Sequence, residues 1–151
     1  MYSSVGGAER HTGIPHLESK FRVEEHIRAS GMRATILRPT FFMENWAGPA
    51  GPQEVNGELV LRMVLSPDRR LQMITVGDIG AFAALAFAGQ GGVAGHALEI
   101  AGDELSPTEI AAAFAASLGT ALQDRRPLAP SLLSPSIECA DRSAFVLSVA
   151  L

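Results

Sequence analysis

Short β-branched and apolar runs alternate along this 151-residue chain with segments of helical period, and that alternation most restricts what it can fold into. Arg33 to Leu37, Leu71 to Val76 and His96 to Ala101 read as strands, and Met1 to Val5 as a strand end running into Gly6-Gly7. Pro15 opens a helix that runs to about Ser30, with Gly31 as the residue that ends it. Asp78 to Ala88 reads as a helix that is apolar nearly all round, hence deeply buried, with Asp78 as its N-cap. Ser106-Pro107-Thr108-Glu109 is a capping box with proline at the first helical position. It opens a helix carrying Ile110, Phe114 and Leu118 on one stripe and closed by Gly119. Phe41 to Trp46 fits one helical turn before the break Gly48-Pro49-Ala50-Gly51-Pro52, and Glu58 to Val64 fits either a short strand or a helical turn. The pattern predicts an α/β fold with a mostly parallel sheet.

The length suits one core, and the pattern assigns residues 1–120 to one domain. From about Thr120 the periodicity stops, so 121–151 are left unassigned, although Ala144 to Leu151 is apolar again. Net charge is −4 and no basic cluster exceeds Arg69-Arg70 or Arg125-Arg126, which argues against direct nucleic-acid binding. The single cysteine, Cys139, permits no intrachain disulfide and reads as structural. It fits a reducing, cytoplasmic setting. The N-terminus lacks a signal-peptide pattern, and the longest apolar stretch, Ala81 to Ala88, is too short to span a bilayer. His11, His26 and His96 share no metal-ligand spacing, so no metal site is expected.

The chemistry-bearing candidates begin in the first helix. His16, Lys20, Val23 and Ile27 fall within roughly 60° of one another at 100° per residue. If Val23 and Ile27 pack on the sheet, His16 and Lys20 are carried toward its carboxyl edge, where open α/β sheets bind ligands. A lysine there can hydrogen-bond ribose hydroxyls, and a histidine can exchange a proton near neutral pH. The alternative is a solvated first turn carrying both. Glu24 and Glu25 are expected on an exposed helix flank. Phe41 and Phe42 by themselves suit a core more often than a pocket.

Taken in order, His16-Leu17-Glu18-Ser19-Lys20, Val23-Glu24-Glu25, Ser30-Gly31, Thr35-Ile36-Leu37-Arg38-Pro39 and Phe42-Met43-Glu44-Asn45 resemble the middle of NmrA-like proteins. Val76-Gly77-Asp78-Ile79-Gly80 and Leu98-Glu99-Ile100-Ala101-Gly102-Asp103 continue the resemblance, which covers about residues 1–120. NmrA-like proteins are atypical short-chain dehydrogenase/reductases. The resemblance implies a Rossmann-like, doubly wound sheet, NADP or NAD as cofactor, and either an oxidoreductase acting on a quinone or small carbonyl or a non-catalytic NAD(P)-sensing regulator with a protein partner. In the parent superfamily a Tyr-x-x-x-Lys pair supplies the general acid and the ribose contact. Here Lys20 matches the lysine, and His16 occupies the tyrosine position. Ser3 and Ser4 match the serine region, although Val5 at the serine position would remove the hydroxyl. Arg38-Pro39 matches the segment passing the nicotinamide, and Phe41, Phe42, Asn45 and Trp46 match the loop over the substrate. The family's Gly-rich phosphate turn has no counterpart, because Gly6-Gly7 and Gly91-Gly92 lack a strand–helix frame. The expectation is therefore a partial sheet without its N-terminal dinucleotide-binding strands, in a fragment or inactive remnant of a full-length parent.

Overall fold

The computed structural model describes residues 1–55, 58–66, 68–119, 122–123 and 145–150. In chain order these form β1 (Tyr2–Ser3), a 3-10 turn (Ala8–Arg10), α1 (Pro15–Ala29), β2 (Ile36–Pro39), β3 (Phe41–Phe42) and a second 3-10 turn (Met43–Ala47). There follow β4 (Gln53–Val55), β5 (Glu58–Met63), β6 (Leu71–Ile74), α2 (Val76–Phe87), β7 (Ala97–Ile100), β8 (Asp103–Leu105), α3 (Pro107–Leu118), β9 (Leu122–Gln123) and β10 (Phe145–Ala150). They divide into two compact units, Met1–Met43 with Gln72–Asp103, and Glu44–Leu71 with Glu104–Leu151. Cys139 and the Arg125-Arg126 pair lie outside the described residues.

The first unit holds the parallel sheet that the alternation predicted. β2 is central, with β1 on one side and β7 on the other, all parallel. The strand expected at Arg33 begins instead at Ile36, where the first ladder bond runs from Ile36 N–H to His96 C=O at 2.9 Å. β3 pairs in parallel with β6 through Phe41↔Met73 and Phe42↔Ile74. Leu37, Ile74 and Ile100 make the buried cluster, with Ile79, Ala83 and Leu98 packed against it.

Two expectations about α2 are corrected. Thr75, not Asp78, is the N-cap: its hydroxyl oxygen accepts the Asp78 N–H at 3.0 Å and its O–H donates to the Asp78 carboxylate at 2.9 Å. Asp78 thus sits inside the first turn, where its charge complements the helix dipole. Nor is α2 deeply buried. Val76, Leu85 and Phe87 are 52%, 44% and 76% exposed. Only a stripe through Ile79 and Ala83 meets the Leu37–Ile74–Ile100 cluster. Apolar composition on every side says what a helix can bury, and neighbouring layers decide what it does bury.

The second unit adds an antiparallel sheet that the alternation did not predict. β4, β5, β10 and β9 form an antiparallel sheet in that order. The ambiguous segment at Glu58 is therefore a strand, with Leu61 and Met63 buried and Arg62 exposed. Val55 pairs with Glu58, leaving Asn56-Gly57 between them in sequence. Such a dipeptide favours two-residue antiparallel connections, a signal the strand–helix alternation overshadowed. Residues Phe145–Ala150, unassigned from sequence, pair with β5 along its whole length. α3 opens with the capping box as expected: the Ser106 side chain accepts the Glu109 N–H and the Glu109 carboxylate accepts the Ser106 N–H. Gly119 closes it at φ +67°.

Candidate functional site at the carboxyl edge of the parallel strands

β1 and β2 end side by side, and the chain leaving β1 stays bonded across the sheet. Ser4 N–H donates to Leu37 C=O at 2.7 Å, Gly6 N–H to Pro39 C=O at 2.8 Å, and Gly7 N–H to the Glu99 carboxylate at 2.9 Å. A side chain at Gly6 would press on the Pro39 carbonyl and the Thr40 methyl, and Gly7 has φ +76°. Both glycines therefore keep this turn flat against the strand ends. Arg10 pairs with Glu99 at 3.2 Å, tying the same turn to β7.

Beneath this edge lies an ionic node. Glu24 of α1 has no exposed surface. Its carboxylate accepts from Ser4 Oγ at 2.6 Å, from Arg38 Nε at 3.0 Å and Nη2 at 2.7 Å, and from Arg28 Nη2 at 2.8 Å. Burial pushes its pKa up, but the hydrogen bonds from Arg38, Ser4 and Arg28 outweigh burial and hold it below its ordinary value of 4.5. Arg38 also lies 2.8 Å from Glu9, and its guanidinium pKa is raised chiefly by the hydrogen bond to Glu24. The expectation of an exposed Glu24 is thus wrong. A legible signal existed: Arg38 stands in the apolar run Ile36-Leu37-Arg38-Pro39, and a charge buried in a sheet needs a counter-charge.

That pairing sets the rotation of α1. Its sheet-facing residues are Leu17, Lys20, Phe21, Glu24 and Ile27, all buried or half-buried, while Val23 is 40% exposed. The expected stripe through Val23 is corrected by one position, because Glu24 must reach Arg38. Lys20 stays on the inner stripe. His16 moves off it and is exposed, its carbonyl accepting the Ser19 hydroxyl at 2.8 Å.

Lys20 Nζ lies over the ring of Tyr2, 5.7 Å from its centroid. Burial, then the negative charge of Glu24, raise the Tyr2 pKa, so its phenol stays protonated. Ser3 is exposed, Ser4 is buried and Pro39 is buried. The structure therefore brings Ser4 and Arg38 together on Glu24, and Lys20 onto Tyr2. Phe41 is half-buried and Phe42 is 38% exposed in β3. Asn45 and Trp46 belong to the second unit, where Trp46 stacks edge-on against Phe114 of α3 at 6.0 Å. An open cleft of about 330 Å³ lies at the opposite, amino ends of β1, β2 and β7, lined by Met1, Arg33, Thr35, Ala86, Phe87, Ala94 and Gly95. The strand ends that bind ligands in such sheets are the carboxyl ones.

A parallel sheet flanked by helices defines a Rossmann-like α/β protein. The model of the NmrA-like family matches residues 1–135, and the chain belongs to that family, which is generally NAD(P)-binding. Among the described residues, no helix is long and apolar enough to cross a membrane.

Proposed function

We propose that this chain forms the ribose- and nicotinamide-facing wall of a dinucleotide site in an NAD(P)-dependent oxidoreductase acting on a quinone or a small carbonyl. The observation that carries this reading is Lys20. It is half-buried beside the β1–β2 edge and, among the described residues, makes no ion pair, so its three N–H donors suit a vicinal diol. Lys20 would hold the ribose, and Ser3, Arg38 and Pro39 would border the nicotinamide end. His16, and the Ser4 hydroxyl, would serve proton transfer. Phe41 and Phe42 would face the substrate. The cofactor, when bound, supplies the hydride. The sequence carries no Gly-rich phosphate motif framed by a strand and a helix, so this reading assigns no residue to the pyrophosphate.

One observation favours a second reading, a non-catalytic NAD(P) sensor acting through a protein partner. Ser4 has committed its proton to Glu24, and position 16 holds an exposed imidazole rather than a phenol. A ribose contact without a poised acid binds without turnover.

Titration with NADPH tests both. A lone lysine–ribose contact contributes about 1.5–3 kcal/mol, so the dissociation constant is expected at about 6–80 mM. Quinone-dependent NADPH oxidation at millimolar NADPH, lost in Lys20→Ala, supports the oxidoreductase. Lys20-dependent binding without oxidation supports the sensor. Neither binding nor oxidation sinks both and leaves an inactive remnant.

A further inference from the structure

Lys20 is the only lysine in the 151 residues and Tyr2 the only tyrosine, and the structure puts one on the other. Among the described residues, the ionic contacts of the first unit's carboxylates use arginine or histidine: Arg10 on Glu9 and Glu99, His11 on Glu18, Arg38 on Glu9, and Arg28 and Arg38 on Glu24. Lys20 has a carboxylate within one helical turn, since Glu24 lies four residues on, although with lysine on the N-terminal side, the weaker order. That carboxylate is turned away into the sheet and filled by Arg28, Arg38 and Ser4. What remains for the ammonium is the ring face, at 5.7 Å, inside the reach of a cation–π contact.

We infer that Tyr2 is the positioning residue for Lys20: its ring face, rather than its hydroxyl, holds the ammonium at the sheet edge and leaves the N–H donors open for a diol ligand. The ring attracts the cation through its quadrupole and does not form the directed bonds that a carboxylate would. β1 makes the ring a firm support. Tyr2 N–H donates to Thr35 C=O at 2.9 Å, and Tyr2 stands in register with Ile36. The phenol stays neutral beside the ammonium, so no tyrosinate–lysine pair competes with this arrangement. The inference deepens the cofactor reading above and rests on it for the identity of the ligand, but not for the contact itself.

Because there is one lysine, reductive ¹³C-methylation of the full chain labels only Lys20 and the α-amine, and Lys20→Arg assigns the signals. The expected result is a Lys20 methyl resonance displaced upfield by the ring current and returning to the free-lysine position in urea. Tyr2→Phe keeps the displacement and Tyr2→Leu abolishes it, with NADPH binding about two- to five-fold weaker in the leucine variant only. A wild-type resonance already at the free-lysine position overturns the inference without any variant having to fold. So does loss of the displacement in a folded Tyr2→Phe, which would assign the role to the hydroxyl. If the displacement behaves as expected but calorimetry on the unmethylated chain detects no NADPH binding at tens of millimolar, Tyr2 keeps its role and the dinucleotide reading falls.

Discussion

The two units use the same ion-pair chemistry in opposite settings. In the first, Glu24 is fully buried and Arg38 is 11% exposed, and their node joins α1, β1 and β2. In the second, Arg70, Glu104 and Glu109 are each 48% exposed, and their pairs decorate the start of α3. A buried carboxylate that loses a partner keeps its desolvation cost, whereas an exposed one regains water. Burial, not the number of ion pairs, therefore decides which unit depends on its charges. The second unit relies on an antiparallel ladder, a capped helix and a tight backbone turn after Trp46.

The sharpest test of that contrast is Arg38→Ala. Leaving Glu24 buried with fewer partners is expected to cost about 3–5 kcal/mol, read from urea or thermal denaturation. A loss no larger than that of an exposed pair would break the comparison. Acid probes the same node. The folded carboxyl of Glu24 lies below its ordinary 4.5, so its contribution is complete above that value and is lost as pH falls from there through the folded value. Stability is therefore expected to drop below about pH 4.5, and Glu24→Gln should flatten that part of the profile while lowering stability at neutral pH.

Next in size is Gly51→Ala in the second unit. A Cβ there would overlap the Trp46 carbonyl oxygen, so the backbone must shift. A cost of about 1–3 kcal/mol is expected, as at overpacked sites. Trp46 is the only tryptophan, so its emission reports the movement directly. An unchanged spectrum and midpoint would mean that the turn yields freely. Ser106→Ala should cost about 1 kcal/mol through loss of the N-cap. Smallest of all, Arg70→Ala should leave the thermal midpoint essentially where it is. If it rivals Arg38→Ala, exposure is not what separates the two units.

How much of this was legible in the sequence varies by element. The capping box at Ser106, the stop at Gly31 and the presence of strands near residues 1–5 and 33–38 follow from local chemistry, because caps, prolines and short apolar runs act within a few residues. The antiparallel pairing of β5 with Phe145–Ala150 does not, since nothing within either segment names a partner more than eighty positions away. The rotation of α1 was missed by one residue for a similar reason. Val23 is the more hydrophobic choice for an inward position, and only the presence of Arg38 in β2 makes Glu24 the residue that turns inward.

The sequence by itself determined the strand–helix alternation, the ends of α1 and α3, and the family resemblance. Only the tertiary structure decided which carboxylate is buried, which face of α2 is covered and that Lys20 rests on Tyr2. The physical reason is range. Backbone preferences and caps are settled within one turn of chain, whereas desolvation and charge pairing depend on which distant groups share the same water-free volume.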